Sequence, residues 1–333
     1  MPSLETAFTR HAKVEVPVLC GAMYPCSNPE LVAAVSEAGG LGVVQPLSLT
    51  YVHGHDLREG LRLIRRLTSK PVGFNALVEQ SSKVYLDRMR RWVDIALEEG
   101  VRFFVTALGN PRFVVEKAHA AGGVVYHDVT ERKWALKALD AGVDGLICVN
   151  ARAGGHAGRL PPEQLFADLS DLKVPLVCAG GVGGEASFAS MLSLGYAGVQ
   201  LGTRFIASEE CKVHADYKRA ILDADEDDIV LSERITGVPV AIIKTPEIER
   251  TGTKAGPLAK VLLKGSRTKH WVRAFYTFTS GIKLKRSSLK GSGYKDIFQA
   301  GKSVAEIEKV EPVAAIVRRF ADAAAQLQRP AGS

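Results

Sequence analysis

From residue 14 to residue 207 the sequence alternates short β-branched apolar runs with segments of helical period, and it does so eight times. That alternation marks βα units around a parallel sheet. The predicted strands are residues 14–20, 41–45, 71–75, 102–107, 123–127, 145–149, 175–178 and 198–201. Asn28-Pro29, Asn110-Pro111 and Thr130-Glu131 each place a capping oxygen before a residue suited to a first helical turn, just after a strand. Eight units in roughly 200 residues fit a closed (β/α)8 TIM barrel, with its chemistry on the loops that follow the strands. The competing open, doubly wound sheet most often carries G-x-G-x-x-G after its first strand. Cys20-Gly21-Ala22-Met23-Tyr24 does not match it.

After residue 222 the character changes, so the expected plan is a barrel over residues 1–222 and a C-terminal helical and irregular excursion over 223–333 packed on it. The excursion opens with Asp223, Asp225, Glu226, Asp227 and Asp228, read as a solvated acidic turn. Residues 235–244 look β-rich, the chain returns to helix from Tyr294, and residues 313–327 carry apolar side chains at helical spacing. The net charge of +7 sits largely in residues 260–295, which hold ten Lys/Arg and no Asp or Glu. Trp271, Phe275 and Phe278 recur there at helical spacing, which points to an amphipathic face docked on the barrel or on a second subunit of a homodimer. Nucleic acid is therefore not the expected partner. No run approaches the roughly 18 apolar residues of a membrane span, and the first 13 residues lack an apolar signal core, so a cytoplasmic protein is expected. The five cysteines are odd in number and lack zinc spacing, and Cys148 and Cys178 lie in apolar runs as core residues. His53-Gly54-His55-Asp56 reads as a solvated or substrate-facing loop, and no metal site is expected.

Three constellations fall where a barrel brings loops together. Ala153-Gly154-Gly155-His156-Ala157-Gly158 follows the sixth strand, and its glycines let backbone approach a flat ligand while leaving the imidazole unobstructed. Ala179-Gly180-Gly181-Val182-Gly183-Gly184 follows the seventh strand and opens the helix Glu185–Leu194, whose N-terminus is expected to stand behind a phosphate held by backbone N–H groups. Leu201-Gly202-Thr203-Arg204-Phe205 follows the eighth and offers N–H groups and a hydroxyl to the same anion.

With these motifs, and with Gly21-Ala22-Met23, Gly73-Phe74-Asn75, Thr236-Gly237-Val238-Pro239-Val240 and Ala300-Gly301-Lys302-Ser303-Val304, the chain resembles the nitronate monooxygenase family over nearly its whole length. The resemblance implies an FMN-dependent barrel with the flavin across its mouth. It implies that Ala22 and Met23 contact the isoalloxazine by backbone, that Asn75 bonds its polar atoms, and that Gly155 lies near the ring. Ala179, Gly180, Gly181, Gly202 and Thr203 would hold the phosphate, and His156 would be the catalytic base. At the end of the fifth strand, where some relatives place a lysine, stands Asp128. The implied reaction is oxidation of alkyl nitronates or nitroalkanes by O2 to a carbonyl compound and nitrite. The alternative on the same fold is an NAD(P)H-dependent flavin reductase acting on a quinone or an enoyl thioester.

Overall fold

The computed structural model describes residues 5–79, 82–233, 238–254, 285–286, 288–289 and 297–327. Eight parallel strands close into a barrel in sequence order: β1 (Val18–Cys20), β2 (Leu41–Val44), β3 (Val72–Leu77), β4 (Phe103–Ala107), β5 (Val124–Val129), β6 (Gly145–Val149), β7 (Leu176–Ala179) and β8 (Gly198–Leu201). Helices α1 (Ala7–Ala12), α2 (Pro29–Glu37), α3 (Leu57–Leu67), α4 (Lys83–Glu98), α5 (Arg112–Ala120), α6 (Arg132–Asp140), α7 (Pro162–Leu169) and α8 (Glu185–Leu194) accompany the first seven strands. After β8 come α9 (Thr203–Ile206), α10 (Ala215–Asp223), an antiparallel pair β9 (Ile229–Ser232) and β10 (Val240–Ile243), α11 (Pro246–Thr251) and α12 (Val313–Leu327). Helix α12 packs between α8 and α2, with Phe188 stacked on Phe320 at 5.0 Å, and so takes the place of the eighth barrel helix.

The registers decide what fills the barrel. They close with the shear of eight that characterises this architecture, so inward residues of alternate strands share a height. One layer holds Leu19, Gly73, Tyr126 and Val177, and the next holds Val43, Val105, Ile147 and Gln200. Above them, at the C-terminal mouth, the registers bring Gly21, Asn75, Asp128 and Ala179 to one level. The lower layers are apolar apart from Gln200, and Phe8 of α1 seals the bottom against Phe103 and Tyr126. The Tyr126 hydroxyl meets His11 Nδ1 at 3.1 Å.

Several expectations shift at their edges. Strand β1 begins at Val18, because the amides of Glu15 and Val16 both donate to the Gly39 carbonyl and Pro17 has no amide to donate. Asn28 stands at the N-cap of α2, but its side chain is spent elsewhere: Nδ2 donates to Glu210 O and Oδ1 accepts from Lys212 N, tying the loop after β1 to the segment after α9. The N-cap of α5 is Pro111 rather than Asn110, whose Oδ1 accepts from Arg112 N at 2.9 Å from one position further out. The chain from Ile297 to Gly301 is extended, with Gln299 bridged to Ile242 of β10, and only then makes a short 3-10 turn over Lys302–Glu306. Cys148 and Cys178 are buried in the core, and Asp56 caps α3. Among the described residues, no helix is long and apolar enough to cross a membrane. Most of the basic stretch 260–295, with Trp271, Phe275 and Phe278, lies outside the described residues, as do Thr236 and Gly237.

Candidate active site at the barrel mouth

The loops after β1, β6, β7 and β8 are fastened to one another by backbone and by short polar side chains. Asn150, fully buried at the end of β6, donates from Nδ2 to the Gly180 carbonyl at 2.9 Å and accepts from the Arg152 amide at 2.8 Å. It thereby holds the His156 loop against the glycine loop after β7. The fit leaves no room for side chains there: Gly180 and Gly181 have φ of +119° and +82°. A Cβ on Gly180 would stand 2.5 Å from Ala153 N, and one on Gly181 would stand 2.6 Å from Arg152 Nε. After β1, the Met23 amide donates to Ser27 Oγ and its carbonyl accepts from Ser48 Oγ, while its sulfur lies where a Gly202 Cβ would touch it at 3.5 Å. The loops after β1 and β8 therefore meet at Met23 and Gly202.

The C-terminal segment completes this side of the mouth. The Gly301 amide donates to Thr203 Oγ1 at 3.0 Å, and the Lys302 amide donates to the Arg152 carbonyl at 2.9 Å. Glu306 Oε2 accepts from the amides of Gly183 (2.9 Å) and Gly184 (2.7 Å) and from Ser187 Oγ. A protein carboxylate thus occupies the N-terminus of α8, where the sequence pointed to a phosphate. Of the residues expected around a phosphate, Ala179, Gly180, Gly181, Gly202 and Thr203 remain beside it on the turns after β7 and β8. The acidic run is also more than a solvated turn. Asp225 caps a short 3-10 helix, and Glu226 pairs with Arg152 and, at 3.7 Å, with Lys302, across the outer edge of these turns.

His156 stands on its glycine-framed loop with a solvent-open side. Gly155 pairs with Ala241 of β10 (N–H···O 3.3 and 2.7 Å), so the β9–β10 hairpin braces the loop from outside the barrel. Surrounding protein desolvates the imidazole and lowers its pKa below the ordinary value. That shift favours the neutral ring, the form able to accept a proton. Asn75 Nδ2 donates to the Val105 carbonyl at 3.3 Å, which fixes the amide at the mouth layer. Asp128, in that same layer, is pushed up to about 7 by burial. Its neighbour His127 points to the opposite side of the sheet, pairs with Thr106 Oγ1 at 2.8 Å, and is pushed down to about 4 by burial.

The expected site residues thus fall into three groups. Asn75, Asp128 and Ala179 share the top layer, with Ala22 and Met23 following its fourth member, Gly21. Gly180, Gly181, Gly202 and Thr203 lie on the adjoining turns after β7 and β8, and Gly155 and His156 stand on the neighbouring loop. Sequence reasoning missed Asn150 and Glu306. Asn150 carried a faint signal, as a polar residue closing an apolar strand. Glu306 carried none, since its partners lie more than a hundred residues earlier.

A sequence model of one family, Nitronate monooxygenase, matches residues 5–322. The chain belongs to the nitronate monooxygenase family. Relatives include a (3aS,4S,5R,7aS)-5-hydroxy-7a-methyl-1-oxo-octahydro-1H-indene-4-carboxyl-CoA dehydrogenase of Rhodococcus jostii, 28% identical over 330 residues and covering 91% of each chain. A "Probable nitronate monooxygenase" of Staphylococcus saprophyticus is 28% identical over 290 residues, covering 74% of this chain and 81% of the relative. Among solved structures, FabK from Thermotoga maritima superposes with a TM-score of 0.79 at 27% identity, over 98% of this chain and 99% of that one. Nitroalkane oxidase from Streptomyces ansochromogenes shares the fold, with a TM-score of 0.76 at 20% identity over 96% and 99%. Membership makes this member an oxidoreductase of the type that works with FMN.

Proposed function

We propose that this protein is an FMN-dependent enzyme that oxidises alkyl nitronates or nitroalkanes with O2 to a carbonyl compound and nitrite. The observation that carries the reading is an exposed His156, its pKa lowered, on a loop fastened to the glycine turn after β7 at the mouth of a family barrel. The residues present fit FMN. The turns after β7 and β8 would give backbone donors to a phosphate, and Gly21 and Ala179 put almost no side chain into their half of the top layer. Asn75 and Asp128 give the other half polar groups, and Ala22, Met23 and Gly155 add backbone at its edge.

FMN, when bound, supplies the passage of electrons from substrate to dioxygen that side chains cannot carry. The chain's own work is to position and deprotonate. A nitroalkane has an acidic C–H beside its nitro group, and the His156 imidazole accepts that proton. The glycines on both sides of His156 add no side chain to the loop, and the β9–β10 hairpin holds it in place. His156→Ala is expected to lower turnover of a neutral nitroalkane by about 10²–10⁴-fold, with a smaller loss for a nitronate supplied already ionised. Because the imidazole pKa is lowered, wild-type turnover of the nitroalkane is expected to rise with pH through a midpoint below the ordinary histidine range and then level off. Steady-state rates of both enzymes on both substrates across pH check this. Equal losses on the two substrates would remove His156 from the proton step.

A second reading is favoured by the Rhodococcus relative, whose name makes it a CoA thioester dehydrogenase and which matches this chain over 91% of its length. On that reading a nicotinamide nucleotide exchanges electrons with the flavin, and an acyl thioester is the partner substrate. Anaerobic mixing of the purified flavoprotein separates the two. Bleaching of the visible flavin band by ethyl nitronate, with little response to NADH or NADPH, supports the first. Rapid bleaching by NADPH selects the second.

A further inference from the structure

The top lumen layer is chemically lopsided. Gly21 and Ala179 fill one side with almost nothing, whereas Asn75 and Asp128 fill the other with polar groups. Asn75 is tied to the Val105 carbonyl, but Asp128 Oδ1 is buried without a hydrogen-bond partner. A buried oxygen left unpaired is costly, and such an atom at a barrel mouth marks a place where a ligand completes the bonding.

Among the described residues, the surroundings of Asp128 offer no cation. On the lumen side the flanking strands present Val105 from β4, Ile147 from β6 and Asn75 from β3, none of which titrates. Tyr126 lies two layers below, its phenol raised by burial and engaged with His11. The Cys148 thiol and His127 point to the other face of the sheet, the thiol raised well above its usual value and the imidazole neutral. His156 stands on the loop beyond β6, its pKa lowered by desolvation. With no positive charge among the described residues around it to hold a carboxylate, the layer favours the protonated acid.

We propose that Asp128 meets the flavin ring as a carboxylic acid, donating a hydrogen bond to a ring acceptor from the layer it shares with Asn75; the inference rests on the FMN reading above. A lysine at this point would bring a permanent charge to the ring. Asp128 brings a neutral donor that becomes an uncompensated anion on losing its proton, and the ring is then held less tightly. The chain therefore couples cofactor affinity to pH through one side chain.

The test is the dissociation constant of FMN, followed by its fluorescence on mixing with apoprotein between pH 7.5 and 9. Over this interval the FMN phosphate stays doubly ionised, its second pKa being about 6. The wild type is expected to lose affinity several-fold as pH rises, limited to tenfold per pH unit, and its visible flavin band should shift over the same interval. Asp128→Asn keeps a neutral donor of the same shape and is expected to hold the wild-type pH 7.5 affinity and band position throughout. A flat wild-type profile, or an Asp128→Asn variant that keeps the dependence, overturns the inference. Should that variant fail to fold, infrared difference spectra of wild-type holoprotein carrying 13C-labelled aspartate serve instead. Loss of a protonated-carboxyl stretch across the interval supports the inference, and its absence at pH 7.5 overturns it. FMN binding that ignores pH overturns this inference alone, whereas failure to bind FMN at any pH overturns the cofactor reading and this inference with it.

Discussion

Two adjacent side chains at the end of β5 titrate in opposite senses because alternation along a strand sends them to opposite faces of the sheet. His127 faces the helices, where burial disfavours its charged form; Asp128 faces the lumen, where the same penalty favours the protonated acid. For His127 the folded pKa of about 4 lies below the unfolded value of 6.5, so the unfolded chain takes up a proton first as pH falls. Stability is therefore complete above 6.5 and is lost as pH falls through 4, by up to about 3 kcal/mol from this site. His127→Gln should flatten the fall of the urea midpoint between pH 6.5 and 4, which equilibrium unfolding at several pH values measures. Asp128 acts the other way, its folded pKa of about 7 exceeding the unfolded 3.8, so its contribution declines as pH rises between those values.

Among the elements, α8 shows how a terminus expected to serve a ligand is used by the protein itself. Its first turn has unpaired amides, and an anion satisfies them. Glu306 meets that need from the far end of the sequence. The same carboxylate pins the Lys302–Glu306 turn beside the glycine turn after β7, so one contact stabilises a helix and places the Gly301 amide on Thr203. Glu306→Ala should lower stability by about 1 kcal/mol, the usual loss on removing a cap, and should also weaken FMN binding. Chemical denaturation together with flavin retention on gel filtration checks both. Stability loss without any change in flavin retention would confine Glu306 to capping.

For the whole molecule, the ring of helices closes only with α12, which arrives after more than a hundred residues of excursion from β8. Phe320 is buried on α12 against Phe188 of α8. Phe320→Ala is expected to cost about 3–5 kcal/mol, seen as a lower urea midpoint, with flavin loss accompanying unfolding rather than preceding it. Loss of flavin from a still-folded variant would instead mean that α12 acts on the site locally. The barrel itself was legible because period is a local property. The alternation of β-branched runs and helical segments is written into neighbouring residues, so β6 and β8 fall on their expected bounds and the glycine loops land after β6, β7 and β8. What local period could not specify is which distant groups meet. Barrel shear, a property of all eight strands at once, raises Asn75 and Asp128 to one layer; ring closure brings Glu306 to α8; and sheet facing separates His127 from Asp128. The sequence by itself determined the eightfold unit, the glycine loops and the histidine among them, since each depends on residues a few positions apart. The tertiary structure alone decided the pairing of the mouth's polar groups and their protonation, because burial and contact depend on chain segments that are neighbours only after folding.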